Sequence, residues 1–70
     1  MNDHVYRVIE LVGSSTETVE DAIDNAVDRA SKTVRHLDWF EVMETRGQIV
    51  NNKVAYYQVR LKVGFRVEDT

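Results

Sequence analysis

Four side chains in this sequence have the chemistry to hold a flat, polar, anionic ligand: Trp39, Gln58, Arg46 and Arg66. Trp39 is the only tryptophan. An indole stacks on an aromatic heterocycle, which contributes about 0.5–1.5 kcal/mol beyond area burial. Gln58 carries a donor and an acceptor, so it can read the edge of a polar ring such as a pyrimidine. Arg46 and Arg66 can grip a phosphate through a planar fork. A stacker, an edge reader and anion anchors together suit a nucleotide-like cofactor. The same residues have plainer uses. A tryptophan at a strand end is more often a packing or interface residue. A glutamine among alternating polar residues is usually solvated. Strand arginines usually face water or pair with acids, here Glu41, Glu44 or Glu68.

Catalytic chemistry has less to stand on. Carboxylates cluster on the expected helix, with no cleft or partner base to make them acid and base. There is no G-x-S-x-G, phosphate-binding loop, dinucleotide glycine pattern or H-E-x-x-H. His4 and His36 lie far apart, and cysteine is absent, which excludes disulfides and thiolate metal sites. No catalytic residue, no metal ligand and no enzyme activity are expected. The net charge of −3 and the lack of a basic run argue against nucleic acid. No apolar stretch approaches the roughly 20 residues that span a bilayer. Asp3 and His4 stand where the apolar run of a signal peptide would begin. A cytoplasmic location is the expectation.

The elements that must position these residues are legible from periodicity. With 43% apolar and 30% charged residues, the 70-residue chain has the balance of one folded domain. So short a chain usually needs disulfides, a metal or partners. The first two being excluded, oligomerisation is expected. Residues His4 to Val12 read as a strand that Gly13 ends. Ser14 or Ser15 then offers a helix cap, Ser14 forming an S-x-x-E box with Glu17. Val19, Ala22, Ile23, Ala26, Val27, Ala30 and Val34 make the buried stripe of the helix. Its acids crowd the start and its bases the end, which complements the helix dipole.

Residues Trp39 to Val50 and Lys53 to Val67 read as two long strands joined at Asn51-Asn52, a two-residue hairpin signal. In the last strand Ala55, Tyr57, Val59, Leu61, Val63, Phe65 and Val67 form an apolar face that must receive the helix. Gln58, Arg60, Lys62 and Arg66 point away from it. Phe40 and Val42 share the apolar face, whereas Trp39 lies on the polar one. An indole there must bury itself in a neighbouring subunit, a flat ligand, or both. Simple hairpin register sets Arg46 opposite Tyr57 and Glu44 opposite Val59, and a one-residue bulge shifts both by one, so the register is open beyond the first pairs. The pattern breaks near Glu44 to Gly47, where a bulge or bend is expected with Gly47 supplying the freedom.

Five segments, in order and spacing, carry a family resemblance: Tyr6-Arg7-Val8-Ile9-Glu10-Leu11-Val12-Gly13, Leu37-Asp38-Trp39-Phe40-Glu41-Val42, Arg46-Gly47, Tyr57-Gln58-Val59 and Lys62-Val63-Gly64-Phe65-Arg66. The chain resembles the dodecins, small flavin-binding proteins, and within them the bacterial branch that binds FMN. The resemblance implies an α+β fold, β-α-β-β, with a three-stranded antiparallel sheet wrapped around one helix. It implies a single domain over 1–70 and a hollow homododecamer of cubic symmetry. Flavins would bind in pairs at subunit interfaces, their rings sandwiched between symmetry-related tryptophans. Trp39 would be the stacker, Gln58 the contact to the pyrimidine edge and Arg46 the contact to the FMN phosphate. Arg66 matches an arginine implicated in coenzyme A binding by some bacterial members. FMN is thus the expected cofactor, with riboflavin as the alternative and coenzyme A as a second ligand. The implied function is flavin storage and sequestration, with stacking that quenches the excited flavin. The competing reading is a structural oligomeric module in which Trp39 only plugs a subunit interface. A flavin-dependent oxidoreductase would need an open ring face, which a tryptophan sandwich denies.

Overall fold

Four elements run through residues 3–68, the part of the chain that a computed structural model describes: β1 (Tyr6–Ser15), α1 (Val19–Ser31), β2 (Leu37–Val50) and β3 (Lys53–Arg66). All pairing is antiparallel, in the order β1-β3-β2. This is the expected β-α-β-β fold.

Thr18, rather than either serine, caps the helix. Its backbone is extended, and its Oγ1 accepts a hydrogen bond from the Asp21 N–H at 2.9 Å. Ser14 and Ser15 are unavailable because β1 continues through both, opposite Gln58 and Tyr57. The Ser14–Glu17 box therefore does not form. Ser15 instead shapes the turn before the helix. Its Oγ accepts from the Glu17 N–H at 2.9 Å and donates to Asp21 Oδ2 at 2.7 Å. The helix also stops earlier than the apolar stripe implies. Lys32 is its C-cap, and Val34 lies past the end, its N–H donating to the Ala30 carbonyl at 2.9 Å.

Gly13 does not end the first strand. It sits inside β1, where the helix crosses. A methyl group there would collide with the Ala22 carbonyl oxygen and come within 2.9 Å of Ala26 Cβ. Glycine on the strand and alanine on the helix let the two backbones approach closely. Ala22 and Ala26 are buried against Val59, Leu61 and Val63 of β3, with Ile9, Leu11 and Leu37 around them. The helix packs on β1 and β3. Along β2, every residue after Leu37 is exposed. The molecule is a slab of 56 × 20 × 14 Å with Phe40 50% and Ile49 69% exposed on its overhanging arm. That apolar surface has no cover within one chain.

Asn51 and Asn52 both take positive φ, 52° and 64°, between the paired residues Val50 and Lys53. This is the two-residue hairpin expected, whose twist requires such backbone. The register beyond it departs from simple pairing. Ala55 on β3 is an extra residue between the pairs Ile49–Val54 and Gln48–Tyr56. Arg46 consequently faces Gln58, not Tyr57, and Glu44 faces Arg60, not Val59. The irregularities flank Glu44–Gly47 instead of falling inside it: Ala55 lies on one side, Met43 on the other, and a third stands at Asp38. Gly47 has ordinary backbone, since no glycine has positive φ.

Gly13→Ala should cost about 1–3 kcal/mol through overpacking at the helix crossing, against about 1 kcal/mol for loss of the Thr18 cap in Thr18→Ala. Denaturant midpoints at equal protein concentration measure both. Equal stability of Gly13→Ala and the parent would contradict the close crossing.

Candidate functional site

Side chains alternate across a strand, so a one-residue bulge changes which face the next residue joins. Leu37 pairs with Phe65 and Trp39 with Gly64 because Asp38 is inserted between the pairs. Leu37 joins the core, while Trp39 turns to the face of the sheet away from α1. The bulge at Met43 repeats the device. Phe40 and Val42 pair with the buried Val63 and Leu61, and then Glu44 and Arg46 pair with Arg60 and Gln58 on the outer face. Without Met43 as an extra residue, Arg46 would point toward the core side. The Met43 bulge thus brings Trp39 and Arg46 to a common surface, and the Asp38 bulge sends Leu37 to the other.

Trp39 lies over the backbone of Gly64. A methyl group at Gly64 would fall on indole atoms Cε2, Cζ2 and Nε1. A ring-fusion carbon is enclosed by ring atoms in its own plane, so this approach comes from above the ring. One face of the indole therefore rests on Gly64, and Trp39 remains 42% exposed. Val8 pairs with Gly64 from the other side and is also exposed, which makes an apolar row across the three strands. A flat aromatic ligand fits such a platform.

The second cluster lies further along the same face. Arg46 Nε donates to Gln58 Oε1 at 3.1 Å. Glu44 Oε1 stands 3.7 Å from Arg46 Nη1 and 3.5 Å from Arg60 Nε. Arg60 Nη1 donates to Glu10 Oε2 at 2.6 Å. The hydrogen bond and charge of Glu10, then those of Glu44, raise the Arg60 pKa further above its ordinary value. Arg60 is a permanent cation here.

From Gly64 to Gln58 is six residues of extended strand, about 20 Å at roughly 3.3 Å each. A ring stacked on Trp39 does not reach the Gln58 of the same chain. The structure brings Arg46 and Gln58 together, and leaves Trp39 apart from both. Arg66 belongs to the tryptophan end, two residues beyond Gly64, its N–H donating to the His36 carbonyl at 3.0 Å. Beside it, Glu68 Oε2 accepts from His36 Nε2 at 2.7 Å and lies 3.5 Å from Arg35 Nη2. The hydrogen bond from His36 and then the charge of Arg35 hold the Glu68 carboxyl below its ordinary pKa.

The sequence offers Glu44 as an acid for a strand arginine to pair with, as it does with Arg46 and Arg60, but assigns no role to Gly64 and no specific partner to Arg60. An isolated glycine inside an alternating strand marks a close approach by another group, and that signal points to Gly64. No pattern announces the Glu44–Arg60 contacts, which depend on the bulge at Ala55. Among the described residues, no three His, Asp or Glu side chains are grouped to hold a metal ion, and no helix is long and apolar enough to cross a membrane.

The Dodecin family model matches residues 5–68. The chain belongs to the dodecin family. A dodecin of Thermus thermophilus is 59% identical over 66 residues, covering 94% of this chain and 96% of that one. The structure of dodecin from Streptomyces coelicolor matches with a TM-score of 0.93 at 56% identity, over 100% of both chains. That of dodecin from Streptomyces davaonensis has a TM-score of 0.93 at 50% identity, over 97% of this chain and 100% of that one. Dodecins are small flavin-binding proteins without enzymatic activity that assemble as homo-oligomers. The exposed indole platform fits the aromatic part of a flavin, and the arm of β2 fits a chain that has partners.

Two measurements probe this surface. Gly64→Ala should lift the indole off the sheet, seen as a red shift of tryptophan emission. An unmoved spectrum would contradict the stack. The Glu68 carboxyl should titrate below an ordinary glutamate and return upward in His36→Ala. Because its folded pKa is lowered, its contribution to stability is present above the ordinary value and lost as pH falls through the lowered one. Carboxyl chemical shifts against pH check both points.

Proposed function

We propose that the protein binds FMN between Trp39 indoles of neighbouring copies and stores it in a quenched, unreactive state. The observation that carries this reading is the Trp39 indole, backed by Gly64 on one face and open on the other. A ring laid on one indole would still show its second face to water. A symmetry-related copy closes the sandwich with its own Trp39 and so excludes substrate from both faces. Storage follows from that enclosure, and turnover does not. An electron-rich indole stacked on the excited ring supplies a fast electron-transfer route, which quenches fluorescence and shortens the time available for photochemical damage.

The separation within one chain supports a divided site. Trp39 and the Arg46–Gln58 pair lie about 20 Å apart along β3, so the polar contacts around a stacked ring come from another copy. In this reading the Gln58 amide reads the pyrimidine edge and the Arg46 fork takes the FMN phosphate, which favours FMN over riboflavin. Arg66, at the tryptophan end, is the anchor for coenzyme A as a second ligand. The whole chain acts as one domain within a homododecamer. The cytoplasm, expected from the sequence, is the compartment in which such a store would act.

Titrating FMN into apoprotein should quench flavin fluorescence, and Trp39→Ala should abolish most of that effect. Gln58→Ala should weaken binding by about 1–3 kcal/mol, as for a hydrogen bond lost with its partner left unpaired. Arg46→Ala should weaken FMN more than riboflavin. Undiminished binding and quenching in Trp39→Ala would refute the stack. It would leave the structural module, with Trp39 as an interface plug, in its place.

A further inference from the structure

The outer face carries a row of alternating charge across all three strands: Glu10 on β1, Arg60 on β3, and Glu44 with Arg46 on β2. One oxygen, Glu44 Oε1, is shared between two guanidinium groups at nearly equal distance, 3.5 Å from Arg60 Nε and 3.7 Å from Arg46 Nη1. Arg46 already has a neighbour at two of its nitrogens, Glu44 Oε1 at 3.7 Å from Nη1 and Gln58 Oε1 at 3.1 Å from Nε. Any anion that uses Arg46 must therefore compete with a carboxylate already beside it. Once the anion is seated, Glu44 is a like charge next to it. Arg60 offers that carboxylate a second place at no new distance.

We propose that Glu44 sets the charge selectivity of the ligand site, competing with phosphate for Arg46 and moving onto Arg60 when phosphate binds. The inference rests on the reading of Arg46 as the phosphate anchor, and adds a residue that does not hold the ligand but decides which ligands the anchor accepts. A phosphate monoester carries close to two negative charges at neutral pH, enough to outbid one carboxylate. An uncharged ligand tail leaves the Glu44–Arg46 contact undisturbed. Arg60 acts as a positioning residue. Its tight bond to Glu10 fixes the guanidinium where it can receive Glu44. All four side chains are partly exposed, so the effect is modest and screened by salt.

The test uses the assembled protein, with FMN and riboflavin titrated separately and followed by flavin fluorescence. Glu44→Gln should tighten FMN about two- to fivefold, the range for an exposed ion pair, and leave riboflavin unchanged. Arg60→Gln should weaken FMN and not riboflavin, because Glu44 then rests wholly on Arg46. In the double variant Glu44→Gln, Arg46→Ala the gain from Glu44→Gln should vanish, since the two residues act as a coupled pair. The ratio of the two affinities is insensitive to any general loosening of the fold. If Arg46→Ala lowers the ratio but Glu44→Gln fails to raise it, the role of Glu44 is wrong and the phosphate anchor stands. If Arg46→Ala leaves the ratio unaltered, the anchor reading fails and this inference falls with it.

Discussion

An indole lying on a strand with no side chain beneath it is the contact on which the outer surface depends. Gly64 is the point on β3 where the row from Val8 to Trp39 crosses the sheet. Any Cβ there would occupy the space of the indole. Resting on backbone, the ring loses one face to the protein and keeps the other, with far less freedom than a tryptophan projecting into water. Preorganisation of this kind lowers the entropy cost of binding a flat ligand. The Asp38 bulge is the other half of the arrangement, because it lets Leu37 enter the core while Trp39, two residues on, leaves it.

The core beneath the sheet is small for a different reason. Gly13, Ala22 and Ala26 bring helix and strand together at a close crossing. Close crossing sacrifices the bulk that larger side chains would bury. The fully buried side chains of real size are Leu61, Val59 and Val63, all on the central strand. Ile49, Val50, Val54, Phe40 and Val42 remain exposed on the arm that the helix does not cover. Burial of such residues is worth roughly 1.5–3 kcal/mol each when complete, so contact with other copies is a substantial part of what holds this fold. Homo-oligomeric assembly in the dodecin family answers that need.

Much of this was legible in the sequence, and the failures have physical causes. Strict alternation from Gln58 to Arg66 identified the central strand and both its faces, because one face is dry and the other wet. Asn51-Asn52 identified the hairpin, because few residues tolerate its backbone. The helix cap was misread at Ser14 and Ser15 because a serine side chain competes equally well for a helix start or a strand end. Pairing of both residues with β3 decides the matter, and pairing is tertiary. The partner of Arg46 stays open in the sequence, between Tyr57 and a residue one along, because Ala55-Tyr56-Tyr57 is apolar on both faces and hides the extra residue at Ala55. Glu44 and Arg60 stayed invisible as a pair for the same reason. Their meeting needs the bulge at Ala55, which leaves no glycine or proline as a sign.

A site divided between copies makes ligand and assembly thermodynamically inseparable. On the proposed reading, one copy offers the indole and another the Arg46–Gln58 pair. Flavin then binds the assembled state and has little affinity for a lone chain. A ligand that binds only one state stabilises it by an amount that grows with the logarithm of ligand concentration over its dissociation constant. On the outer face Glu10, Arg60, Glu44 and Arg46 balance one another's charge. A phosphate arriving there brings close to two negative charges of its own. A lone arginine would gain the ligand but leave the empty assembly with uncompensated positive charge at every site. On that reading an arginine shadowed by a carboxylate, with a second arginine beside it, keeps the empty surface neutral and leaves one full positive charge for the phosphate when Glu44 turns to Arg60.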